Sequence, residues 1–247
     1  MLINPAIAGL TLRQSLARRR WIIVGLLAAL PVLMAVLTRI YTSQDQEPAA
    51  VLVEIASALS FTVVVPIIAL TLASSGFGAE IDDGTVVYLV TKPIPRSTIV
   101  ATKLLVTALI CMVLAVVSTL MTGVIVVGGI DSAGLVAGFT VGAMLGAALY
   151  TAIFLALGLI TRRGMLIGLV YLVVWEGAIS RLFAGTRTLS VRQYMLSISD
   201  AISSADPAVF TAQLPANTAY YMSAIVAVGA VILCIRRLRE FEVGQAG

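Results

Sequence analysis

Histidine is absent from this chain of 247 residues, and only 11% of the residues are charged. A soluble domain carries about 25% charged residues, so an ordinary soluble globule is excluded. Without histidine the chain lacks the commonest general base and metal ligand, which rules out Ser-His and Cys-His catalysis. Cysteine is nearly absent too: Cys111 and Cys234 both lie inside apolar runs, so we expect neither a disulfide framework nor a metal site.

Nucleotide-binding and paired-carboxylate motifs are also missing. No G-x-x-x-x-G-K-[ST] loop is present to hold the phosphates of ATP. No two carboxylates lie close together within an apolar run, which argues against an intramembrane protease and a di-metal enzyme. We therefore expect no enzymatic activity and no cofactor in this chain alone.

Long apolar runs are what the sequence has in abundance, since 60% of its residues are hydrophobic. A membrane-spanning helix needs about 20 mostly apolar residues. Six runs meet this test and predict an all-α polytopic membrane protein with a single domain over 1–247. The predicted spans are 21–41, 52–75, 99–127, 135–161, 165–183 and 218–235. Arg162 and Arg163 separate the fourth span from the fifth, because two arginines at mid-membrane depth would be costly.

The distribution of positive charge predicts the topology. Of the 16 Lys and Arg residues, twelve fall in clusters that alternate along the chain with arginine-poor connections. The clusters are Arg13 with Arg18–Arg20, Lys92 with Arg96 and Lys103, Arg162 with Arg163, and Arg236 with Arg237 and Arg239. By the positive-inside rule both termini are cytoplasmic. Because the clusters flank apolar runs, the net charge of +4 indicates topology and not a nucleic-acid partner.

Two shorter segments outside the spans have helical periodicity. Residues 5–20 predict an N-terminal interfacial helix, although a plain basic flank is the simpler interpretation. In the outer segment 184–217, apolar residues at 191–202 recur at helical spacing before Asp206-Pro207. We expect an amphipathic or re-entrant helix there. A helix resting on the outer surface is the ordinary outcome, and an exit gate is the alternative.

Glycine and two carboxylates mark positions within the spans. Gly138, Gly142 and Gly146 repeat every four residues, which favours close helix packing over conduction. Glu54 and Glu176 are candidates for a substrate pathway, because a carboxylate within a span must face a cavity or a partner or be protonated. Glu54 is near enough to water to be merely exposed. Glu176 could instead pair with Arg181 or satisfy a neighbouring helix.

The segment between the second and third spans is the most informative part of the sequence. An acidic turn at 80–84 leads into an apolar stretch, and Pro93 and Pro95 end the short cytoplasmic helix that this pattern predicts. The apolar residues of 86–90 have no reason to face water unless they meet the membrane or a protein partner.

This segment resembles the cytoplasmic segment of ABC-2 type permeases, with its E-x-x-x-G-T pattern, a following P-x-x-R and a lysine that opens the next span. The residues that carry the resemblance are Glu80, Gly84, Thr85, Leu89, Pro93, Arg96 and Lys103. The remaining similarity is the general plan of a basic N-terminal helix, six spans and a long last outer loop. Asp82 and Asp83 depart from the family's commonest form, in which charges of both signs are frequent.

The resemblance implies that 80–96 forms a coupling helix that docks in a groove of a separate ATPase subunit. Two permease subunits, identical or homologous, would pair above two ATPase subunits that bind ATP and Mg. Glu80 and Arg96 would anchor the helix, Gly84 would permit its turn, and Val86–Val90 would form the docking face. The simpler interpretation is that Glu80 and Arg96 are solvated and Pro93 only ends a helix.

Residues and resemblance together predict the membrane-spanning permease subunit of an ATP-binding-cassette exporter in the bacterial plasma membrane. The substrate would be hydrophobic or amphipathic, because the spans offer mostly Ala, Val, Leu, Gly and Thr. A stand-alone secondary transporter is one alternative, and it would be expected to show internal repeats and several intramembrane ionisable residues. A membrane anchor or assembly factor is the other.

Overall fold

The computed structural model describes residues 8–9, 11–12, 18–41, 47–76, 96–128, 133–161, 163–182, 184–203 and 208–240. These residues are 93% helical, and no strand occurs among them, which confirms the predicted all-helical class. The helices are α1 (Arg18–Tyr41), α2 (48–76), α3 (Arg96–Val127), α4 (Ala133–Ile160), α5 (164–182), α6 (Val191–Ser203) and α7 (Ala216–Glu240).

Two of these helices contain π-helical segments. In α2 the segment is Ile55–Val64, and in α5 it is Tyr171–Ile179. A 3-10 segment, Ala184–Leu189, then joins α5 to α6. π-Helical turns are rare and occur often at functional sites, so both segments are candidate positions for a functional site.

Five helices, namely α1, α2, α3, α4 and α7, are long and apolar enough to cross a membrane. They correspond to five of the six predicted spans. The remaining predicted span, 165–183, lies in α5. The apolar stretch there, Gly164–Ile179, is shorter than the roughly 20 residues that a span needs. The chain leaves the regular α-helix there, first into the π-helical segment and then into the 3-10 segment.

The helix α4 is at the centre of the described bundle. In its most apolar part 67% of the residues are buried, against 17% in α1 and 22% in α7. It contacts α2, α3, α6 and α7. Phe139 of α4 packs against Phe61 of α2 and against Phe210, with ring centroids 5.5 and 5.1 Å apart.

Hydrogen bonds attach α1 to α3 at two places, one in the middle of α1 and one near the C-terminal ends of both helices. The hydroxyl of Ser118 donates to the carbonyl oxygen of Ala28 at 2.6 Å, close to Pro31 of α1. Arg39 donates through Nη1 to the carbonyl oxygens of Ile125 and Val126 at 3.1 and 3.2 Å. The last carbonyls of α3 lack helical donors, so Arg39 caps α3 from another helix.

The outward faces of the surrounding helices are apolar. Leu26 of α1 is 73% exposed and Ile225 of α7 is 62% exposed. Exposed aromatic residues lie near the helix ends, as at membrane–water interfaces: Trp21, Tyr41, Tyr220 and Tyr221. Such a surface fits contact with lipid.

The predicted N-terminal interfacial helix is described only in part. Residues 8–9 and 11–12 are helical, with Thr11 buried and Leu12 exposed. The rest of 5–17 lies outside the described residues, so the interfacial helix stays a prediction.

Candidate functional site at the break between α5 and α6

Helix α6 packs along a row of four glycines on α4. A Cβ atom on Gly134 would come within 2.6 Å of the carbonyl oxygen of Ser203, so the two backbones are in contact there. Gly138 faces Ser199 and Ser203, and Gly146 faces Met195. We call the row Gly134, Gly138, Gly142 and Gly146 the glycine face. The packing role predicted for the last three is confirmed, and Gly134 extends the row by one turn.

Helix α5 packs along the other half of α4. Gly164 lies against Gly158, where a Cβ atom would be 2.9 Å from the Cα atom of Gly158, and Gly168 lies against Phe154 and Leu70. Along both α5 and α6, higher residue numbers meet lower residue numbers of α4. The two helices are therefore antiparallel to α4 and follow each other along it, α5 beside 154–158 and α6 beside 134–146.

The expectation of a helix resting on the outer surface is wrong for α6. A helix does form at 191–203, before Asp206-Pro207 as predicted. However, Val191, Tyr194 and Ile198 are each at most 3% exposed, and Gln193, Ser197, Ser199 and Ser203 are buried as well. The serines make this possible, because their small side chains let α6 approach the glycine face closely.

The carboxylate of Glu176 lies at the N-terminus of α6, although it belongs to α5. Its Oε2 atom accepts a hydrogen bond from the Ser190 hydroxyl at 2.5 Å, and its Oε1 atom accepts one from the backbone N–H of Val191 at 2.9 Å. The hydroxyl of Tyr171 donates to Oε1 at 3.3 Å. Glu176 is only 2% exposed. We call Tyr171, Glu176, Ser190 and Val191 the carboxylate cluster.

The N-terminus of α6 also has a local cap. The Ser190 hydroxyl accepts a hydrogen bond from the backbone N–H of Gln193 at 3.3 Å. Serine followed three residues later by glutamine is the capping-box pattern, so the sequence did contain a signal for this helix start. Next to it, the hydroxyl of Tyr194 donates to the carbonyl oxygen of Thr188 at 2.5 Å.

Arg192 joins the same end of α6 to the π-helical segment of α2. Its Nε atom donates to the Thr62 hydroxyl at 2.8 Å, and its Nη2 atom donates to the carbonyl oxygen of Ser57 at 3.4 Å. The Thr62 hydroxyl in turn donates to the Ser57 carbonyl at 2.9 Å. Residues from both π-helical segments therefore bind the first two residues of α6.

The two predicted pathway carboxylates have different surroundings. Glu176 is buried among hydrogen-bond donors, in keeping with the alternative that it satisfies a neighbouring helix, whereas Glu54 is exposed near the start of α2. The side chain of Arg181, the other suggested partner of Glu176, lies outside the described residues. The hydroxyl of Tyr150 on α4 is buried near Glu176 and makes no hydrogen bond to a described group. The pathway roles of Glu54 and Glu176 stay predictions.

Two cavities lie along α6, one beside its first turns and one beside its middle. One of about 160 Å³ is lined by residues that include Arg192, Gln193 and Phe210. The other, of about 360 Å³, lies beside Ser197 and Asp200. The segment 208–215 borders both, and it is attached to α6 by hydrogen bonds from Ser197 to the Leu214 carbonyl and from the Ala212 N–H to Asp200. One face of α6 thus forms a wall of both cavities.

The predicted coupling residues lie mostly outside the described part of the chain. This is true of Glu80, Gly84, Thr85, Val86, Leu89 and Pro93. Arg96 is the first residue of α3, although its side chain is not described. Lys103, one residue after the buried Thr102, is 1% exposed. The helix that begins directly after the coupling segment therefore carries a buried lysine in its first turns.

Comparison with protein families places the chain in a known group. A family model described as ABC-2 family transporter protein matches residues 15–180, which is more than half of the chain. The chain belongs to the ABC-2 transporter family. No curated protein matches it. The match extends from before α1 to the π-helical segment of α5, so this ABC-2 transporter chain contains the family region through Glu176, and α6 and α7 follow it.

The family and the apolar helices together identify a membrane protein of a transport system. Members of such a family generally serve as membrane-spanning transport subunits rather than catalytic ones. The resemblance inferred from the coupling segment is thereby confirmed at the level of the family.

Proposed function

We propose that the chain is the permease subunit of an ATP-driven exporter, with ATP and Mg bound by a separate ATPase subunit. The observation that carries this proposal is the family match over 15–180, which includes the coupling segment. The sequence contains no phosphate-binding loop, which is consistent with ATP being bound by another chain. Nothing about the chain requires a nucleic-acid partner.

The fifth predicted span of this permease is formed by α5 and α6 together, which makes six spans in all. The apolar part of α5 is short for a span, but α6 continues along the same neighbour, α4, where α5 leaves it. Broken helices are tolerated at membrane depth when the interrupted backbone is buried in protein. Six spans place both termini on the cytoplasmic side with the arginine clusters, in a bacterial plasma membrane.

Coupling to the ATPase subunit would act directly on α3. Because α3 begins at Arg96, where the coupling segment ends, a displacement of 80–96 would move the first turn of α3. Lys103 is buried in this chain, so its part would be to position that turn and not to contact the ATPase. Glu80 and Arg96 would provide charge pairs to the partner, and Val86 and Leu89 would supply apolar contact.

The substrate would be hydrophobic or amphipathic. The exposed faces of α1, α3 and α7 are apolar, and the cavities beside α6 combine Arg192, Gln193 and Asp200 with Phe210. Glu54 and Glu176 would border the route. A second permease subunit, identical or homologous, would complete it, as the family resemblance implies.

Co-purification with an ATPase tests this proposal. The tagged chain would be isolated from its native membrane in mild detergent, as wild type, as the charge-reversed E80R/R96E variant and as the conservative E80D/R96K variant. We expect a stoichiometric ATPase with the wild type and with E80D/R96K, and its loss with E80R/R96E. Reversal of the exposed Glu47 in E47R serves as a control and should leave the ATPase bound.

The outcomes separate the competing functions. If no ATPase accompanies the wild-type chain, a stand-alone secondary transporter or a membrane anchor becomes the better interpretation. If an ATPase accompanies every variant equally, the permease function stands and the coupling role of Glu80 and Arg96 is wrong.

A further inference from the structure

Helix α6 is bound in two different ways along its length. Its first residues are held by polar groups of α5 and α2, through Glu176 and through the contacts of Arg192. From Met195 onward it meets α4 through serine and methionine packed on glycine. Polar contacts of the first kind are directional, whereas packing on a glycine face is close but smooth.

The contact from Glu176 is the strongest candidate for what fixes α6 in position. The N-terminal N–H groups of a helix have no partner within the helix, and a negative charge there interacts favourably with the helix dipole. Glu176 places its carboxyl group there from another helix, and its two oxygen atoms accept hydrogen bonds from the Ser190 hydroxyl and the Val191 N–H. Hydrogen bonds to an ionised group are about twice as strong as neutral ones.

The position of this contact matters because α6 forms a wall of both cavities described above. Gln193 and Leu196 line one, and Ser197 and Asp200 line the other. If the N-terminus of α6 separated from Glu176, these residues would move relative to α4. The groove between α6 and the glycine face would then open to water.

We propose that Glu176 is a positioning residue that keeps α6 packed against the glycine face of α4, and that α6 is a movable wall of the two cavities. When the carboxylate is bound to Ser190 and Val191, the groove is closed. When those bonds are lost, α6 separates from α4 while the remainder of the bundle stays folded. This behaviour belongs to the chain alone and does not depend on an ATPase partner.

Cysteine accessibility tests the proposal on the purified full-length chain in lipid nanodiscs. Ser199 is fully buried against Gly142, so a cysteine in S199C reports whether the groove is open. Both native cysteines are buried, and their background reaction would be measured in the wild type. We expect S199C to react slowly with a charged, water-soluble maleimide. In S199C/E176Q the rate should rise at least about tenfold, because charge-assisted hydrogen bonds are lost.

Two controls distinguish a released α6 from a generally loosened protein. The exposed Glu47 has no such contact with α6, and S199C/E47Q should react at the S199C rate. A second reporter, S118C, lies in the buried contact between α3 and α1 and should stay slow in the E176Q background. Rapid reaction at both reporters would show that Glu176 only stabilises the whole fold, and would overturn the proposal.

A milder variant keeps the test decisive if E176Q does not fold. S190A removes one donor to the carboxylate and the acceptor of the Gln193 N–H, and it leaves the Val191 N–H in place. The reaction rate of S199C/S190A should rise several-fold, while S118C/S190A stays slow. If S199C remains unreactive within twofold in every folded variant of the carboxylate cluster, α6 is not held by Glu176 and the proposal is wrong.

Discussion

Helices α1 and α4 are both long and apolar, yet α4 lies at the centre of the described bundle and α1 lies at its periphery. In the most apolar part of α4, 67% of the residues are buried, against 17% in α1. The buried face of α4 is rich in glycine, alanine and aromatic residues, such as Gly142, Ala143 and Phe139, which lie among buried leucines. The exposed face of α1 consists of large aliphatic residues, such as Ile22, Leu26 and Leu33.

The comparison shows that small side chains, and not apolar character, distinguish the interior of this bundle from its surface. Lipid tails are as apolar as leucine, so burying a leucine gives little driving force within a membrane. Glycine lets two backbones approach closely and increases van der Waals contact. The glycine face of α4 therefore decides where α6 binds, and the same kind of substitution should have different effects at buried and exposed positions.

The largest effect is expected for G142L in the glycine face. A side chain there would overlap Ser199, the carbonyl of Met195 and Phe61, whereas a Cβ atom at Gly25 of α1 would meet nothing within 4 Å. Overpacking costs about 1–3 kcal/mol and sometimes more, so G142L should prevent α6 from binding. Detergent-solubilised yield and thermal unfolding would measure this. Wild-type behaviour of G142L, or equal damage from G25L, would contradict the comparison.

Truncation of a leucine should have the next largest effect. Leu155 of α4 is fully buried, whereas Leu26 of α1 is 73% exposed. L155A would leave a cavity and should destabilise the fold by about 2 kcal/mol or more. L26A should change stability by less than about 0.5 kcal/mol, as expected for a surface position. Unfolding in mixed micelles would compare the two variants. Similar losses of stability in L155A and L26A would show that burial does not distinguish α4 from α1.

A glycine at the end of α3 gives a third test. Gly128 has φ +63°, and a Cβ atom there would lie 2.7 Å from the guanidinium of Arg39, whereas Gly229 of α7 has open space around it. G128A should be destabilising by about 1–2 kcal/mol, since the left-handed conformation is costly for alanine. G229A should be neutral or slightly stabilising, because alanine favours helix. The midpoints of thermal unfolding would decide, and equal midpoints would show that residue 128 needs neither the left-handed conformation nor the space beside Arg39.

The smallest effect is expected from deleting one hydroxyl. Y194F removes the hydrogen bond to the Thr188 carbonyl and should cost about 1 kcal/mol, because that carbonyl loses its buried donor. The matched variant Y221F changes a side chain that is 73% exposed and should have no measurable effect. A loss of stability in Y221F alone would indicate that the exposed face of α7 carries a specific contact.

Much of the fold was predictable from residue patterns that act locally. Five spans followed from the length of apolar runs, and the helix at 191–203 followed from its periodicity. The packing role of Gly138, Gly142 and Gly146 followed from their spacing. Each of these inferences needs only one segment of sequence and a geometric rule.

The position of α6 and the role of Glu176 depend on contacts between distant segments. Periodicity shows that α6 is amphipathic, but lipid and a glycine face are both apolar surroundings and give the same pattern. The cap of α6 by Glu176 joins residues 15 positions apart, and Arg192 reaches Ser57 and Thr62 across 135 and 130 positions. The cap of α3 by Arg39 joins residues 86 positions apart and was not predicted either.

Hydrogen exchange of the α6 backbone tests directly whether α6 is buried along α4. The full-length chain in lipid nanodiscs would be exposed to deuterated water, and peptides covering 191–203 would be compared with peptides covering 133–160 and 216–240. We expect 191–203 to exchange as slowly as 133–160, because α6 is buried along α4. Complete exchange of 191–203 while 133–160 stays protected would place α6 on the membrane surface and contradict the structure presented here.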